Sequence, residues 1–84
     1  MRAKVYVTPK AGVLDPAGRA TEHALHSLGF QHVRDVRLGR YIEMIVDGDP
    51  AAVAVQIDEM CRQLLANGVI EDYRFEIGDG VDEH

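Results

Sequence analysis

There is no tryptophan in this chain, one cysteine, three prolines, and a shortage of positive charge: nine Lys and Arg against fourteen Asp and Glu, a net charge of -5. Each scarcity excludes something. A lone cysteine, Cys61, closes no disulfide within the chain, and no CxxC metal-transfer site exists. The acidic balance argues against a nucleic-acid partner, because phosphates call for a basic field. No apolar run is long enough to cross a bilayer as a helix, and the opening MRAKVYVTPK has no apolar signal core. No membrane association and a reduced, cytoplasmic setting are therefore expected. What remains is 84 residues, 46% hydrophobic and 27% charged, the composition of one small folded domain. At this size association with other chains is a common extra source of stability.

The most specific stretch is 12–30, GVLDPAGRATEHALHSLGF, which reads as one helix with both ends written out. Asp15 is a natural N-cap, since its carboxylate accepts from the free amides of the first turn. Pro16 suits the first helical position, where its missing N–H costs nothing. Gly29 supplies a left-handed stop, and Phe30 sits where it can fold back on Leu25 as in a Schellman cap. Ala17, Ala20, Ala24, Leu25 and Leu28 form a narrow apolar stripe that predicts docking on a sheet.

The sheet is legible on either side. Ala3, Val5 and Val7 alternate with Arg2, Lys4, Tyr6 and Thr8, which predicts a strand buried on one face. In 33–46, Val36, Leu38, Ile42, Met44 and Val46 fall on even positions, while Arg37, Tyr41, Glu43 and Ile45 fall on odd ones. Gly39 interrupts this stretch. A three-residue loop placing Leu38 opposite Ile42 keeps one apolar face, and so does one long strand bent at Gly39; a hairpin or sharply bent pair is preferred. Asp49-Pro50 then repeats the helix start, with Val53, Ile57, Met60, Cys61 and Leu64 as the buried stripe. Asn67-Gly68 ends that helix, with Val69 able to contact Leu64. Tyr73, Phe75 and Ile77 alternate with Arg74 and Glu76 in a last strand.

The order β-α-β-β-α-β predicts an α+β fold: a two-layer, ferredoxin-like sandwich with two helices on one face of an antiparallel sheet. The domain runs over 1–79, and 80–84 is expected to be a disordered tail. The open face of the sheet shows Tyr6, Tyr41 and Ile45 among Lys4, Thr8, Arg37 and Glu43. That is more apolar than a solvated face needs, and it makes these three the interface candidates.

No group of residues assembles into chemistry. His23 and His26 lie three apart on the first helix, with His32 beyond it and His84 at the terminus, and none forms a ligand set for zinc. Cys61 sits between Ile57 and Leu64 and reads as a small core residue. Asp15 places a carboxylate at the helix end that a phosphate would need, and the glycine spacing is neither GxGxxG nor a P-loop. Catalytic, cofactor-binding and metal residues are therefore expected to be none. From the residues alone two readings stand: an interaction domain, or a stand-alone small-molecule-sensing module of ferredoxin-like type.

KAGVLDP at 10–16, with Gly18, Ala24-Leu25 and Leu28-Gly29-Phe30, VRLGRYIE at 36–43 and CRQLLANGVIEDY at 61–73 together resemble the PurS family. This is the small subunit of phosphoribosylformylglycinamidine synthase in purine biosynthesis. The resemblance runs from about residue 3 to 77. One departure is visible: the family commonly has Asn-Pro-Val-Ile-Glu, and Gly68 stands where that proline would be. The resemblance implies a non-catalytic subunit, a dimer or tetramer, that assembles a large synthetase with a glutaminase. The complex amidates formylglycinamide ribonucleotide with ATP and glutamine, and the ATP and magnesium belong to the large subunit.

Overall fold

A computed structural model of the chain describes residues 1–78; the expected tail at 80–84 lies outside the described residues. The elements are β1 (Arg2–Pro9), α1 (Pro16–Ser27), β2 (Arg40–Ile45), α2 (Pro50–Met60), a π-helical turn (Cys61–Leu65) and β3 (Glu71–Gly78). The sheet is antiparallel, in the order β2-β1-β3, so β1 is central and both other strands are edges. The α+β reading stands, with three strands in place of four.

The alternation in β1 does what period two requires. Ala3, Val5 and Val7 are fully buried, and Val53, Ile57 and Cys61 of the α2 region meet them at helical spacing. Burying one such Val or Ile side chain stabilises the fold by roughly 1.5–3 kcal/mol. Ile42 and Met44 of β2, Val46, and Tyr73, Phe75 and Ile77 of β3 pack around this cluster half-buried. The parity of 33–46 therefore assigned the faces of β2 correctly.

The second helix departs from its expected stripe at Leu64, which is 82% exposed. The reason is the π turn. The Ala66 amide donates to the Cys61 carbonyl, five residues back, so the chain takes more than four residues per turn there. The buried face moves on to Leu65 and Ala66. Val69 is as exposed as Leu64, and the expected contact between them does not close the helix. The stop is made instead at Asn67, whose carbonyl accepts from Ile70 and Glu71 and whose side chain accepts from Val69. Arg40 braces this turn, donating to both Glu71 carboxylate oxygens at 3.0 Å and to the Leu65 carbonyl at 2.6 Å. Its guanidinium and the Asn67 amide hold the Glu71 carboxyl below its ordinary range.

The caps of α1 are as predicted. Asp15 accepts from the Gly18 amide, Pro16 opens the helix, Gly29 is left-handed at φ 105°, and the Phe30 and Gly29 amides donate to Leu25 and His26 in the Schellman pattern. A Cβ at Gly29 would meet no neighbour, so its cost is purely conformational. Gly29→Ala is expected to lower stability by about 1 kcal/mol in denaturant unfolding. A neutral result would mean that the left-handed residue does not hold this helix end.

Two expectations do not survive. First, α1 does not lie on the sheet. Gly18 is its only buried residue, and Ala17, Ala20, Ala24 and Leu28 are exposed. Second, 33–39 forms neither a hairpin nor a continuous bent strand. It leaves the sheet at Gly39 and runs along α1 instead. Three side chains of α1 and its cap hold it there: His26 Nε2 lies 2.7 Å from the Val33 carbonyl, Glu22 accepts from the Val36 amide, and Asp15 accepts from the Leu38 amide. Residues 15 to 26 span about 16 Å of helix at about 1.5 Å per residue. Residues 33–38 cover a similar distance only when extended, at about 3.3 Å per residue. The segment is thus largely extended, interrupted at Asp35 whose φ is a left-handed 58°, antiparallel to the helix, and bonded to its side chains rather than to a strand.

A candidate interaction surface on the open sheet face

The face of the sheet away from α2 is built by the odd register of β2 and the even residues of β1 and β3. The pairing Tyr6 with Tyr41 on one side and Arg74 on the other puts three large side chains in one row. The two rings lie 5.2 Å apart between centroids at 39°, and the Arg74 guanidinium carbon sits 3.9 Å above the Tyr6 ring. Cross-strand aromatic and cation–π contacts of this kind stabilise a sheet modestly and also present a rigid, amphipathic surface. The next row pairs Lys4 with Glu43 and Glu76. Glu43 accepts from the Tyr41 hydroxyl at 2.7 Å, and Glu76 accepts from the Tyr6 hydroxyl at 3.3 Å. Arg2 lies 3.8 Å from Glu43.

Tyr41, 52% exposed, and Tyr6 are therefore brought together. Ile45, 71% exposed, is not brought to them: it stands opposite Arg2, four residues along the ladder. At about 3.3 Å per residue that is about 13 Å, with the charged row between. The face holds an aromatic end and an isolated isoleucine rather than one apolar patch. Arg37, expected among these residues, lies off the sheet, with its guanidinium toward the Pro9 carbonyl and Asp35.

The hydrogen bond to Glu43 is the main cause of a raised Tyr41 hydroxyl pKa, up to about 12 from an ordinary 10.0; desolvation and the Glu43 charge add to it. The sign follows from the charge. The neutral phenol is the favoured form, so this contribution to stability is complete below pH 10 and is lost as pH rises through about 12. Asp58 also holds the Tyr73 hydroxyl above its ordinary range, so the Tyr41 midpoint near 12 is identified in absorbance titration as the one that moves down toward 10 in Glu43→Gln. A Tyr41 midpoint near 10 in the unaltered chain would contradict this.

Elsewhere, a groove of about 430 Å³ opens beside the start of α1, lined by Lys10, Asp15, Arg19, Glu22, Asp35 and Arg37 among others. Its charges are mixed. Asp15 and Glu22 are committed to amides, Lys10 to Asp72 and Arg37 to Asp35. Among the described residues no three His, Cys, Asp or Glu are grouped to hold a metal ion, and no helix is long and apolar enough to cross a membrane. Cys61 is fully buried, and burial, with Asp58 nearby, pushes its thiol pKa up, away from the reactive thiolate.

Sequence reasoning missed the exposure of α1. Leu28 is 73% exposed, Phe30 56% and Leu14 77%. The signal available was the alanine-rich stripe, too shallow to bury much area alone, with Glu22 and His26 beside it.

Comparison with known proteins supplies what this geometry lacks. The model of the PurS family, described as phosphoribosylformylglycinamidine (FGAM) synthase, matches residues 2–79. The chain is 49% identical over 80 residues to the phosphoribosylformylglycinamidine synthase subunit PurS of Bacillus subtilis, covering 95% of each. It is 51% identical over 75 residues to the same subunit of Synechocystis, covering 88% of this chain and 75% of that one. A crystal structure of B. subtilis PurS superposes with a TM-score of 0.84, covering 93% of this chain and 98% of the other. A chain in the structure of PurLQS from Thermotoga maritima superposes with a TM-score of 0.78 at 25% identity, covering 89% and 93%.

Proposed function

Because the chain belongs to the PurS family, we propose that it works as the small, non-catalytic subunit of a phosphoribosylformylglycinamidine synthase and assembles the synthetase with the glutaminase. The observation that carries this is the end-to-end match over residues 2–79, together with likeness to a chain of a PurLQS assembly. The residues agree with it. Cys61 is buried, Asp15, Glu22 and His26 are bonded to backbone groups of the chain, and exposed apolar and aromatic surface is in surplus. A stand-alone sensing module is not favoured, since the match extends over the whole described fold.

The finer reading has four parts. ATP and magnesium are used by the large subunit and not held by this chain. The setting is cytoplasmic. The single domain is 1–79. The chain self-associates as a dimer or tetramer, with Tyr6 and Tyr41 at the centre of a contact on the open sheet face and Ile45 at its margin. Tyrosine pairs of this kind are favoured at interface centres because they bury much area at little entropic cost.

The test is assembly. Mixed with the synthetase and glutaminase subunits in the presence of ATP, magnesium and glutamine, the chain is expected to co-elute with both. Elution of this chain alone under those conditions would overturn the proposal. Tyr41→Asp is expected to weaken self-association without unfolding the chain, the lost Tyr6 and Glu43 contacts lowering the unfolding midpoint only modestly.

A further inference from the structure

We infer that Asn67 is a site of spontaneous covalent modification in the folded chain. The Gly68 nitrogen closes on the Asn67 carboxamide, ammonia leaves, and water opens the resulting succinimide to aspartate or isoaspartate. The only co-reactant is water, and the chemistry is independent of the assembly role proposed above.

Asn67 is the one asparagine of the sequence, and a glycine follows it. Ring closure needs a free nucleophile, open space, an aligned carbonyl and a free leaving group. The turn between the π turn and β3 supplies all four. Gly68 is exposed, and its amide makes no hydrogen bond among the described residues. It has no side chain to hinder the approach, and the space where a Cβ would stand is empty. The Val69 amide donates to Asn67 Oδ1 at 3.0 Å, which arches the side chain over the Asn67–Gly68 peptide and its nitrogen. The same donor points at the oxygen on which negative charge develops when that nitrogen attacks, as in an oxyanion hole. The Asn67 carboxamide nitrogen donates to nothing among the described residues, so no bond holds the leaving group back. The main chain of Asn67 is fixed as well. Its amide donates to Glu71 Oε1 at 2.8 Å, and its carbonyl accepts from Ile70 at 3.1 Å and from Glu71 at 2.7 Å. Less freedom is therefore lost on ring closure than in an unfolded chain.

The steps balance without an oxidant or reductant. Water or hydroxide takes the Gly68 amide proton, the nitrogen lone pair bonds to Asn67 Cγ, and the carbonyl π pair moves onto Oδ1. As that pair returns, the bond from Cγ to Nδ2 breaks, and Nδ2 takes a proton from water and leaves as ammonia. Water then adds to one carbonyl of the five-membered imide. Opening at Cγ gives aspartate; opening at the main-chain carbonyl gives isoaspartate, with the chain running through Cβ and Cγ. Either product has gained one water, lost one ammonia and become one charge more negative.

The two products leave different turns. Aspartate keeps the main-chain carbonyl and offers Val69 a carboxylate oxygen in place of the amide oxygen. Isoaspartate converts that carbonyl into a free carboxylate and lengthens the chain by one carbon. The bonds from Ile70 and Glu71 to Asn67, and from Asn67 to Glu71, then no longer close together. Glu71 opens β3 opposite Pro9 of the central strand, and Arg40 holds its carboxylate. Isoaspartate at this position therefore loosens the start of β3, and aspartate does not.

The experiment incubates the full chain at mildly alkaline pH and follows it by intact mass and peptide mapping, with isoaspartate located by fragmentation. The expected result is a gain of about one mass unit in the peptide carrying Asn67, faster as pH rises. Asp47-Gly48 forms the same imide without a change in mass, so the gain isolates Asn67. Gly68→Ala, whose Cβ meets no neighbour, is expected to slow the reaction by about tenfold or more. Gly68→Pro removes the attacking N–H without removing a hydrogen bond, and is expected to abolish it. An unchanged rate in Gly68→Ala would overturn the cyclisation. So would an Asn67 that reacts more than about tenfold more slowly in the folded chain than in the same chain unfolded in guanidinium chloride, since the turn would then be a shield. For the structural consequence, the isoaspartate form is separated and its unfolding midpoint compared with that of Asn67→Asp. A lower midpoint for isoaspartate is expected, and equal midpoints would overturn the effect on β3.

Discussion

Without this chain, glutamine-dependent turnover by the synthetase and glutaminase is expected to fall by about two orders of magnitude or more, while each catalytic machinery stays chemically intact. Bridging two active sites raises the effective concentration of what passes between them on that scale. The described residues contribute no nucleophile or metal cluster: Cys61 is sealed in the core, His26 is bound to the Val33 carbonyl, and Asp15 and Glu22 hold amides. Deleting them removes no bond-making group. Ammonia released away from the synthetase is diluted and largely protonated near neutral pH, so the amidation starves. The corresponding rescue is specific. Concentrated ammonium salt at raised pH is expected to restore turnover by the large subunit alone. A large subunit that stays inactive with saturating ammonia would show that this chain also shapes the synthetase site.

Gly39→Ala is expected to be the most destabilising single-methyl addition in the chain, by roughly 3 kcal/mol, on the scale of overpacked or strained core sites. The reason is not a positive φ. A Cβ at Gly39 would run into the Val7 carbonyl oxygen and approach the Val7 carbonyl carbon and the Thr8 Cα to 3.1 and 3.2 Å. These are backbone atoms of the central strand, which cannot give way without loosening the pairing of Val7 with Arg40. The control is Gly68→Ala, where a Cβ meets nothing and φ is not left-handed; its effect is expected to be near zero. The two midpoints in urea, with equal m-values, decide the matter. Equal midpoints would mean that the chain does not cross β1 so closely at Gly39. A low m-value in Gly39→Ala would point instead to a partly opened native state.

The sequence by itself determined what neighbours a few residues apart decide. Asp15-Pro16, Asp49-Pro50 and Gly29 set helix ends because caps act on amides and carbonyls within one turn. The alternation of Ala3, Val5 and Val7 sorted the faces of β1, and the even positions of 33–46 sorted those of β2, because successive strand residues point to opposite sides. The PurS resemblance was legible for the same reason, being carried by these local signatures in combination. The interface residues were legible only singly: Tyr6 and Tyr41 meet because β1 and β2 pair in that register, and the same register strands Ile45 opposite Arg2. The tertiary structure alone decided where surfaces go. Whether 33–38 pairs with a strand or with Asp15, Glu22 and His26 depends on which donors lie within reach once α1 has formed. The π turn that replaced Leu64 by Leu65 and Ala66 depends on how the end of α2 meets the sheet. And α1, correct in its ends, does not lie on the sheet, because parity says which side of a strand is apolar but not which element will cover it.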